Sequence, residues 1–384
     1  MNRQQRRAAA KRAQTSANAR ADSPFASDRP GIVSLLEAGL THHKAGRLAE
    51  AEACYRQVLA SDPDHADAKN LLGVIATQLG RPDLAVDLIR QAIRQNGRSA
   101  IYFANLGTAL KLLGKLDEAV AAYHRVVRIA PDDAEAYYNL GTALFDQGKL
   151  DESIAACRQA IRISPDFAEA HYNLGIALSA QGKFDESIAA YRQAVHVRPT
   201  FAEAFCNIGT ALRSVGKLDE AIAACRHAIR IKPDYAKAHC NLGIALSGQG
   251  KRDEAVAAYK DALRIDPAYA EAHYNLGAAF FDQGKLNESV AAYRQAIRIS
   301  PDFADAHNNL GAALNVQGKI DESITACREA VRIRPDFANA YNNLGVALSA
   351  HGKFAESISA CRQAIHIRSA YRTMWRRWCE SSAT

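Results

Sequence analysis

The sequence predicts an all-α solenoid of about ten helix–turn–helix units, and three features of its 384 residues carry this prediction. Prolines recur in steps of 34 or 68 residues from Pro63 to Pro335. Two series of ten glycines, from Gly39 and from Gly46, recur at the same interval of 34. Apolar residues between these markers follow helical spacing. A fixed period of roughly 20–50 residues is typical of repeat arrays, whose units bury their apolar faces against their neighbours.

The unit that begins at residue 134 shows how each element is specified. Its first helix has an apolar face at i, i+3 and i+7, formed by Tyr137, Leu140 and Leu144. Gly148 follows, where a helix C-terminus favours a residue that adopts positive φ. The second helix repeats the same spacing with Ile154, Cys157 and Ile161. Pro165 ends that helix, because proline cannot continue it.

Two further patterns predict how the helices begin and how they pack. Asp166 and Glu169 form an Asp-x-x-Glu sequence, which predicts a capping box at the start of the next first helix. Gly141 and Ser153 predict a close approach of the two helices within a unit. The position of Ser153 holds only Ala or Ser in all ten units, and larger side chains there would overpack the contact.

The complete pattern resembles the tetratricopeptide repeat, which has a 34-residue period and a W…LG…Y…A…F…P signature. At the signature positions one unit has Tyr137, Leu140-Gly141, Leu144, Ser153, Cys157, Ala160 and Pro165. The resemblance spans residues 32–368. It implies a right-handed superhelical solenoid, with a concave groove lined by the first helices, and a non-catalytic role in binding proteins or peptides. The constant period argues against the pentatricopeptide family of RNA readers, whose period is one residue longer.

An asparagine series in the first helices is the candidate peptide-binding site. A carboxamide has donors and an acceptor, so it can bond both the N–H and the C=O of an extended peptide. Neighbouring helices lie roughly 8–10 Å apart and an extended chain rises about 3.3 Å per residue, so one asparagine per repeat would meet about every third residue. The series is similar to the asparagine ladder of O-linked N-acetylglucosamine (O-GlcNAc) transferases. The alternative is that it only stabilises its own helices. The residues are Asn105, Asn139, Asn173, Asn207, Asn241, Asn275, Asn309 and Asn343.

Other side chains offer weaker candidates. The tyrosines that flank the series are expected to contact a peptide or to pack between repeats; they are Tyr138, Tyr172 and Tyr274. Four histidines share one position of the unit and are too far apart to hold one metal ion, so they are predicted to pack. They are His171, His239, His273 and His307. No zinc-type cysteine spacing, phosphate-binding loop or nucleophile–base set is found outside the repeat phase. No catalytic residue, metal or cofactor is therefore predicted.

Charge is concentrated at the two ends of the chain. The net charge is +7, with +5 in residues 1–30 and +3 in residues 368–384, so the body has −1. Such a body lacks the basic surface of a nucleic-acid binder. We expect residues 1–31 to be a basic, disordered arm, residues 32–368 to be the solenoid, and residues 369–384 to be a short basic tail. That tail holds both tryptophans, and three interpretations stay open: a cap, the remnant of a longer chain, or a partner-binding patch.

Two functions compete at this stage. The first is a non-catalytic scaffold for proteins or extended peptides, with self-association left open. The second is the substrate-binding portion of an O-GlcNAc transferase-like glycosyltransferase that lacks its catalytic domain, because only about 16 residues follow the last unit. No apolar run is long enough to span a membrane. The eight cysteines are expected to be reduced, which predicts a cytoplasmic protein.

Overall fold

A computed structural model describes the backbone of residues 30–381 and the side chains of residues 31–369. The described chain is entirely helical, with twenty helices and no strand. In chain order the helices are α1 Pro30–Lys44, α2 Leu48–Ser61, α3 Ala66–Gln78, α4 Pro82–Gln95, α5 Ala100–Leu112, α6 Leu116–Ile129, α7 Ala134–Asp146, α8 Leu150–Ile163, α9 Ala168–Ala180, α10 Phe184–Val197, α11 Ala202–Ser214, α12 Leu218–Ile231, α13 Ala236–Gly248, α14 Arg252–Ile265, α15 Ala270–Asp282, α16 Leu286–Ile299, α17 Ala304–Val316, α18 Ile320–Ile333, α19 Ala338–Ala350 and α20 Phe354–Ser381. The predicted helix–turn–helix units are confirmed.

The turn inside each unit depends on glycine, as predicted. All ten glycines of the second series have positive φ, and Gly148 has a φ of 78°. The N–H of Gly148 donates to the carbonyl of Phe145 at 2.8 Å, and the next N–H, of Lys149, donates to Leu144 at 2.9 Å. These two bonds satisfy carbonyls at the end of α7 and reverse the chain into α8.

The first glycine series lets the two helices of a unit touch. A Cβ built on Gly243 would lie 2.5 Å from Cε1 of Tyr259 on the paired helix. Ser153 uses the same close approach differently, because its buried hydroxyl donates to the carbonyl of Gly141 at 2.7 Å. The predicted small-residue contact is therefore confirmed.

The capping box predicted at Asp166 and Glu169 is wrong. Helix α9 begins at Ala168 and its N-cap is Phe167, whose side chain forms no capping hydrogen bond. Asp166 therefore lies one residue too early to cap the helix. Glu169 instead forms an ion pair with Arg198, which follows α10.

The chain divides into two compact units, residues 1–136 and residues 137–384. Within each unit, the two helices of a repeat pack together and the second helix packs on the first helix of the next repeat. The first unit has a core around Tyr55, Val58 and Ile75. The second unit has a longer core, which includes Ile188 and Leu246. The boundaries predicted for the arm, the solenoid and the tail stay predictions.

The last helix is twice as long as the other second helices. Helix α20 has 28 residues and continues through Ser369, where earlier repeats have proline. The side chains of the two tail tryptophans, and all of residues 1–29, lie outside the described residues.

Candidate functional site

The asparagine series lies on the first helices, and each of its eight side chains is half-buried. In two repeats the carboxamide is fixed by a tyrosine of the preceding repeat. The Nδ2 atom of Asn207 donates to the hydroxyl of Tyr172 at 3.1 Å. Asn309 donates to Tyr274 at the same distance. The side-chain amide thus connects successive repeats.

Five of the other six asparagines form the same type of contact with other partners, and Asn139 is the exception among the described residues. Asn173 donates to Oγ1 of Thr142 at 3.1 Å. Asn241 donates to Oγ1 of Thr210 at 2.9 Å and lies 3.2 Å from Sγ of Cys206. Three others complete the set, with Asn105 donating to Asn70 at 3.0 Å, Asn275 to Sγ of Cys240 at 3.7 Å, and Asn343 to Asn308 at 2.9 Å. Sequence reasoning foresaw the position of these side chains and missed their partners.

The carbonyl oxygens of the series have a different environment from the amide nitrogens. None of them is a buried oxygen without a partner in the described chain. Asn309 is the one whose Oδ1 accepts a hydrogen bond from a described residue, Asn308, at 3.0 Å. Since the side chains are half-buried, the other oxygens are open to solvent. Where the amide has one partner and the oxygen has none, as in Asn173, the side chain keeps one acceptor and one donor.

The flanking tyrosines pack between repeats. The ring of Tyr172 lies 4.8 Å from that of Phe201 and 5.7 Å from that of Tyr191. Tyr274 packs on Phe303 in the same way, at 5.0 Å. Burial raises the pKa of Tyr172, and the hydrogen bond from Asn207 partly offsets the rise. These contacts favour the packing interpretation and leave the hydroxyl as a hydrogen-bond acceptor for the asparagine series.

The buried cysteines of the repeats are unsuited to nucleophilic chemistry. Burial raises the pKa of Cys157 to about 11 and the pKa of Cys225 to about 12, from an ordinary value of 9.0. The thiolate is the reactive form of cysteine, so a raised pKa suppresses reactivity at neutral pH. These thiols fill the position where other repeats have a buried tyrosine, for example Tyr191.

The four histidines are held by the backbone. In each, Nε2 lies 2.9–3.0 Å from the carbonyl of the proline six residues earlier. A carbonyl only accepts, so Nε2 donates and the ring is fixed at the entry to its helix. Among the described residues, no group of three His, Cys, Asp or Glu side chains could hold a metal ion. The packing role predicted from the sequence fits this geometry.

A series of ion pairs connects the second helices of successive repeats, and sequence analysis did not identify it. An arginine pairs with a glutamate 28 residues later, as Arg192 does with Glu220 at 3.0 Å and Arg328 with Glu356 at 2.8 Å. Further members are Arg90–Glu118, Arg158–Glu186, Arg226–Glu254 and Arg294–Glu322. The signal was present in the constant phase of these charges. All are well exposed, so each pair contributes about 0–1 kcal/mol.

Comparison with known proteins agrees with this geometry. Family models described as "TPR repeat" match residues 107–148, 141–182, 248–284, 277–315 and 313–352. Others described as "Tetratricopeptide repeat" match residues 36–100, 172–236, 236–259 and 337–370. The chain belongs to the tetratricopeptide-repeat (TPR) family. No curated protein matches it as a relative.

Several solved TPR-type structures are similar to parts of the chain. Two crystal structures of MamA are 27% and 30% identical, cover 43% and 46% of this chain and 97% and 96% of their own, and have TM-scores of 0.40 and 0.41. The structure titled "YrrB: a TPR protein with an unusual peptide-binding site" is 22% identical, covers 49% of this chain and 96% of its own, and has a TM-score of 0.40.

No helix in the described part of the chain is long and apolar enough to cross a membrane.

Proposed function

We propose that this TPR chain is a non-catalytic scaffold that binds extended peptide segments of partner proteins along its asparagine series. The observation that carries the proposal is an asparagine side chain that recurs along the array, with its amide nitrogen held by a hydrogen bond and its carbonyl oxygen left accessible. In seven repeats the amide nitrogen donates to the preceding repeat, as Asn207 does to Tyr172 at 3.1 Å. Most of the carbonyl oxygens stay accessible.

Fixing the carboxamide favours binding for an entropic reason. A free asparagine loses rotamer freedom when it binds, and each ordered side chain costs about 0.5–1.5 kcal/mol. Here a hydrogen bond within the fold already sets the orientation. The exposed oxygen then accepts from a peptide N–H, and the second amide hydrogen donates to a peptide C=O.

Selectivity would come from the residues beside the series, which differ between repeats. The position three residues after the asparagine, on the same helix face, holds Thr142, Ile176, Thr210, Ile244 and Ala278 in five successive repeats, and none of these side chains is buried. The asparagines thus supply general affinity for a peptide backbone, and the neighbouring side chains distinguish one peptide from another. The high pKa of the buried thiols and the backbone-held histidines support a scaffold over an enzyme. The buried, reduced cysteines also support the cytoplasmic location.

The experiment selects short random peptides on the wild-type protein and measures their affinity for variants. A triple variant with Asn207, Asn241 and Asn275 replaced by Ala should bind the selected peptides at least tenfold more weakly, about 1.4 kcal/mol. The triple Asn→Asp variant keeps an acceptor oxygen at each site but loses the donor to the preceding repeat and the donor to the peptide. Its affinity should therefore lie between that of the wild type and that of the Ala variant.

A matched control separates binding from loss of stability. Gln249 donates to Asp219 of the preceding repeat at 2.6 Å, outside the asparagine series. Gln249→Ala therefore removes an inter-repeat hydrogen bond and should leave peptide affinity unchanged. Equal peptide affinity of the wild type and the triple Ala variant would show that the series is structural only.

The second candidate is the substrate-binding portion of an O-GlcNAc transferase-like enzyme. The same one-per-repeat asparagine series favours it, because the series is similar to the ladder of those enzymes. This candidate predicts that the selected peptides are acceptors for a transferase domain supplied separately. Transfer of sugar from UDP-GlcNAc to peptides bound by the chain, and only in the presence of such a domain, would support it over a plain scaffold.

A further inference from the structure

The last helix of the array exposes an apolar surface that the earlier repeats bury. We call the side chains of Phe354, Ile358 and Ile365 on α20 the tail face; they are 65%, 54% and 67% exposed. The residues equivalent to Ile358 in preceding repeats include Ile188 and Ile324, which are only 4% and 5% exposed. There the first helix of the following repeat covers them. The tail face is thus one half of an ordinary inter-repeat contact.

The first helix of the array exposes the other half of such a contact. We call the exposed side of α1 that includes Ser34 and Thr41 the head face. In later first helices, which pack on the preceding repeat, the equivalent residues are buried alanines, such as Ala204 and Ala211. Both residues of α1 are also small. The Thr41 hydroxyl already donates to the carbonyl of Glu37 at 2.8 Å, so covering it breaks no hydrogen bond.

The charges at the two faces are complementary. The arginine–glutamate series along the second helices ends with Arg362 on α20 and has its first glutamate at Glu50 on α2. Both are exposed, and neither forms an ion pair with a described residue. Because every other pair joins a repeat to the next one, a repeat placed on the tail face would bring a glutamate to Arg362.

A second polar series ends at the same two faces. In the middle of the chain a glutamine donates to an aspartate 30 residues earlier, for example Gln249 to Asp219. The terminal positions of that series hold Ala355 at the tail face and Ala45 at the head face. The tail face therefore has no aspartate that needs a glutamine partner, and the head face has no glutamine that needs an aspartate partner. Neither face would therefore bury an unpaired carboxylate or carboxamide at that position.

We propose that the tail face of one copy of this chain binds the head face of a second copy, in the register of an inter-repeat contact. Arg362 of one copy then pairs with Glu50 of the other, and Ile358 is covered by α1 of the other. A second copy is the occupant because it provides a helix with small side chains and a glutamate at the required place. The two faces differ, so the contact is heterologous and joins copies into rings or open chains.

The test is sedimentation of the full chain over about a hundredfold range of concentration. The wild type should rise above its monomer mass of 41.6 kDa as concentration increases. Ile358→Asp, at the tail face, and Thr41→Asp, at the head face, should each stay monomeric when alone. Mixed together, these two variants should form a one-to-one dimer that grows no further, because each retains one intact face.

The charge pair provides an independent check. Arg362→Glu should weaken association at least tenfold, and adding Glu50→Arg to the same chain should restore it. Arg328→Glu is the matched control, since it breaks an ion pair inside the array, with Glu356, and should leave association unchanged. Thermal unfolding of each variant verifies that it is folded.

Three results would overturn the proposal. A wild type that stays monomeric at every concentration would mean that another segment covers the tail face, or that both faces remain open. Dimerisation of Thr41→Asp alone would indicate a symmetric contact between two α20 helices. Absence of rescue by Glu50→Arg would remove the proposed register. None of these outcomes bears on peptide binding, so the two proposals are tested separately.

Discussion

The hydroxyl of Ser153 donates to the carbonyl of Gly141 at 2.7 Å, and the equivalent hydroxyl of Ser187, one repeat later, is buried with no hydrogen-bond partner. Both serines lie at the closest approach of the two helices of a repeat. Other repeats have Ala221 or Ala255 at this position. The same position of the repeat thus holds a buried hydroxyl with a hydrogen-bond partner in one repeat and a buried hydroxyl without one in the next. Replacing each serine by alanine compares the two cases.

We predict opposite effects for Ser153→Ala and Ser187→Ala. The first removes a buried hydrogen bond and should lower the free energy of unfolding by about 0.5–1.5 kcal/mol. The second removes a buried hydroxyl without a partner, so it should leave stability unchanged or increase it by up to about 1 kcal/mol. Urea unfolding followed by circular dichroism measures both. Equal losses for the two variants would contradict the assignment.

Gly243→Leu should disrupt the array locally. The new Cβ would lie 2.5 Å from the ring of Tyr259, which is itself buried, so neither helix can yield without losing packing. We expect a loss of about 1–3 kcal/mol or more. Gly248→Ala is the control, because its Cβ would lie 3.4 Å from Leu218, and should change stability by less than about 1 kcal/mol. A melting temperature of Gly243→Leu equal to the wild type's would refute this packing.

Members of the asparagine series should differ in their contribution to stability. Asn241 has two partners, Thr210 at 2.9 Å and Cys206 at 3.2 Å, whereas Asn275 has only a sulfur atom, of Cys240, at 3.7 Å. Asn241→Ala should therefore cost about 1 kcal/mol more than Asn275→Ala. Chemical unfolding of the two single variants measures the difference. A larger loss for Asn275→Ala would mean that the hydrogen bonds do not determine stability here.

The buried thiols should make stability depend on alkaline pH. Burial raises the pKa of Cys225 and Cys327 to about 12 in the folded chain, and the ordinary value is 9.0. The folded state therefore holds protons that the unfolded state releases above pH 9.0. This contribution is complete below pH 9.0 and is lost as pH rises toward about 12. Urea unfolding at about pH 8 and about pH 10 should show lower stability at the higher pH.

Alkylation provides a second measurement on the same thiols. At about pH 8 the buried Cys225 and Cys327 should resist iodoacetamide, and the half-buried Cys54 and Cys361 should react before them. Mass spectrometry of the peptides gives the order of reaction. Rapid modification of Cys225 in the folded chain would contradict its raised pKa.

Periodicity specified the fold, since it reports directly on which residues share a helix face. Gly148 and Gly243 could be assigned from spacing alone, one to a turn and one to a helix contact, because each role allows few other residues. The capping box failed for a local reason. Phe167, and not Asp166, lies at the helix boundary, and a shift of one residue cannot be resolved from a pattern.

The place of the asparagine series on the first helices could be predicted from the sequence, but its hydrogen bonds could not. The phase of Asn207 identified the helix and the position. Its partner, Tyr172, is 35 residues away, and only the packing of two repeats brings the two groups together. The ion pair of Arg192 with Glu220 was missed for the same reason, because charges 28 residues apart have no relation in a single helix.

The hydrogen bond from an asparagine to the repeat before it, present in seven repeats, has a consequence for how such a chain lengthens. Each of the five units that begin at residues 168, 202, 236, 270 and 304 contains both a donor for the unit before it and an acceptor for the unit after it. A tandem duplication of one of these units would therefore produce a copy that already fits both neighbours. It would also add one more carboxamide to the row, so elongation of the gene and extension of the proposed recognition surface are a single event.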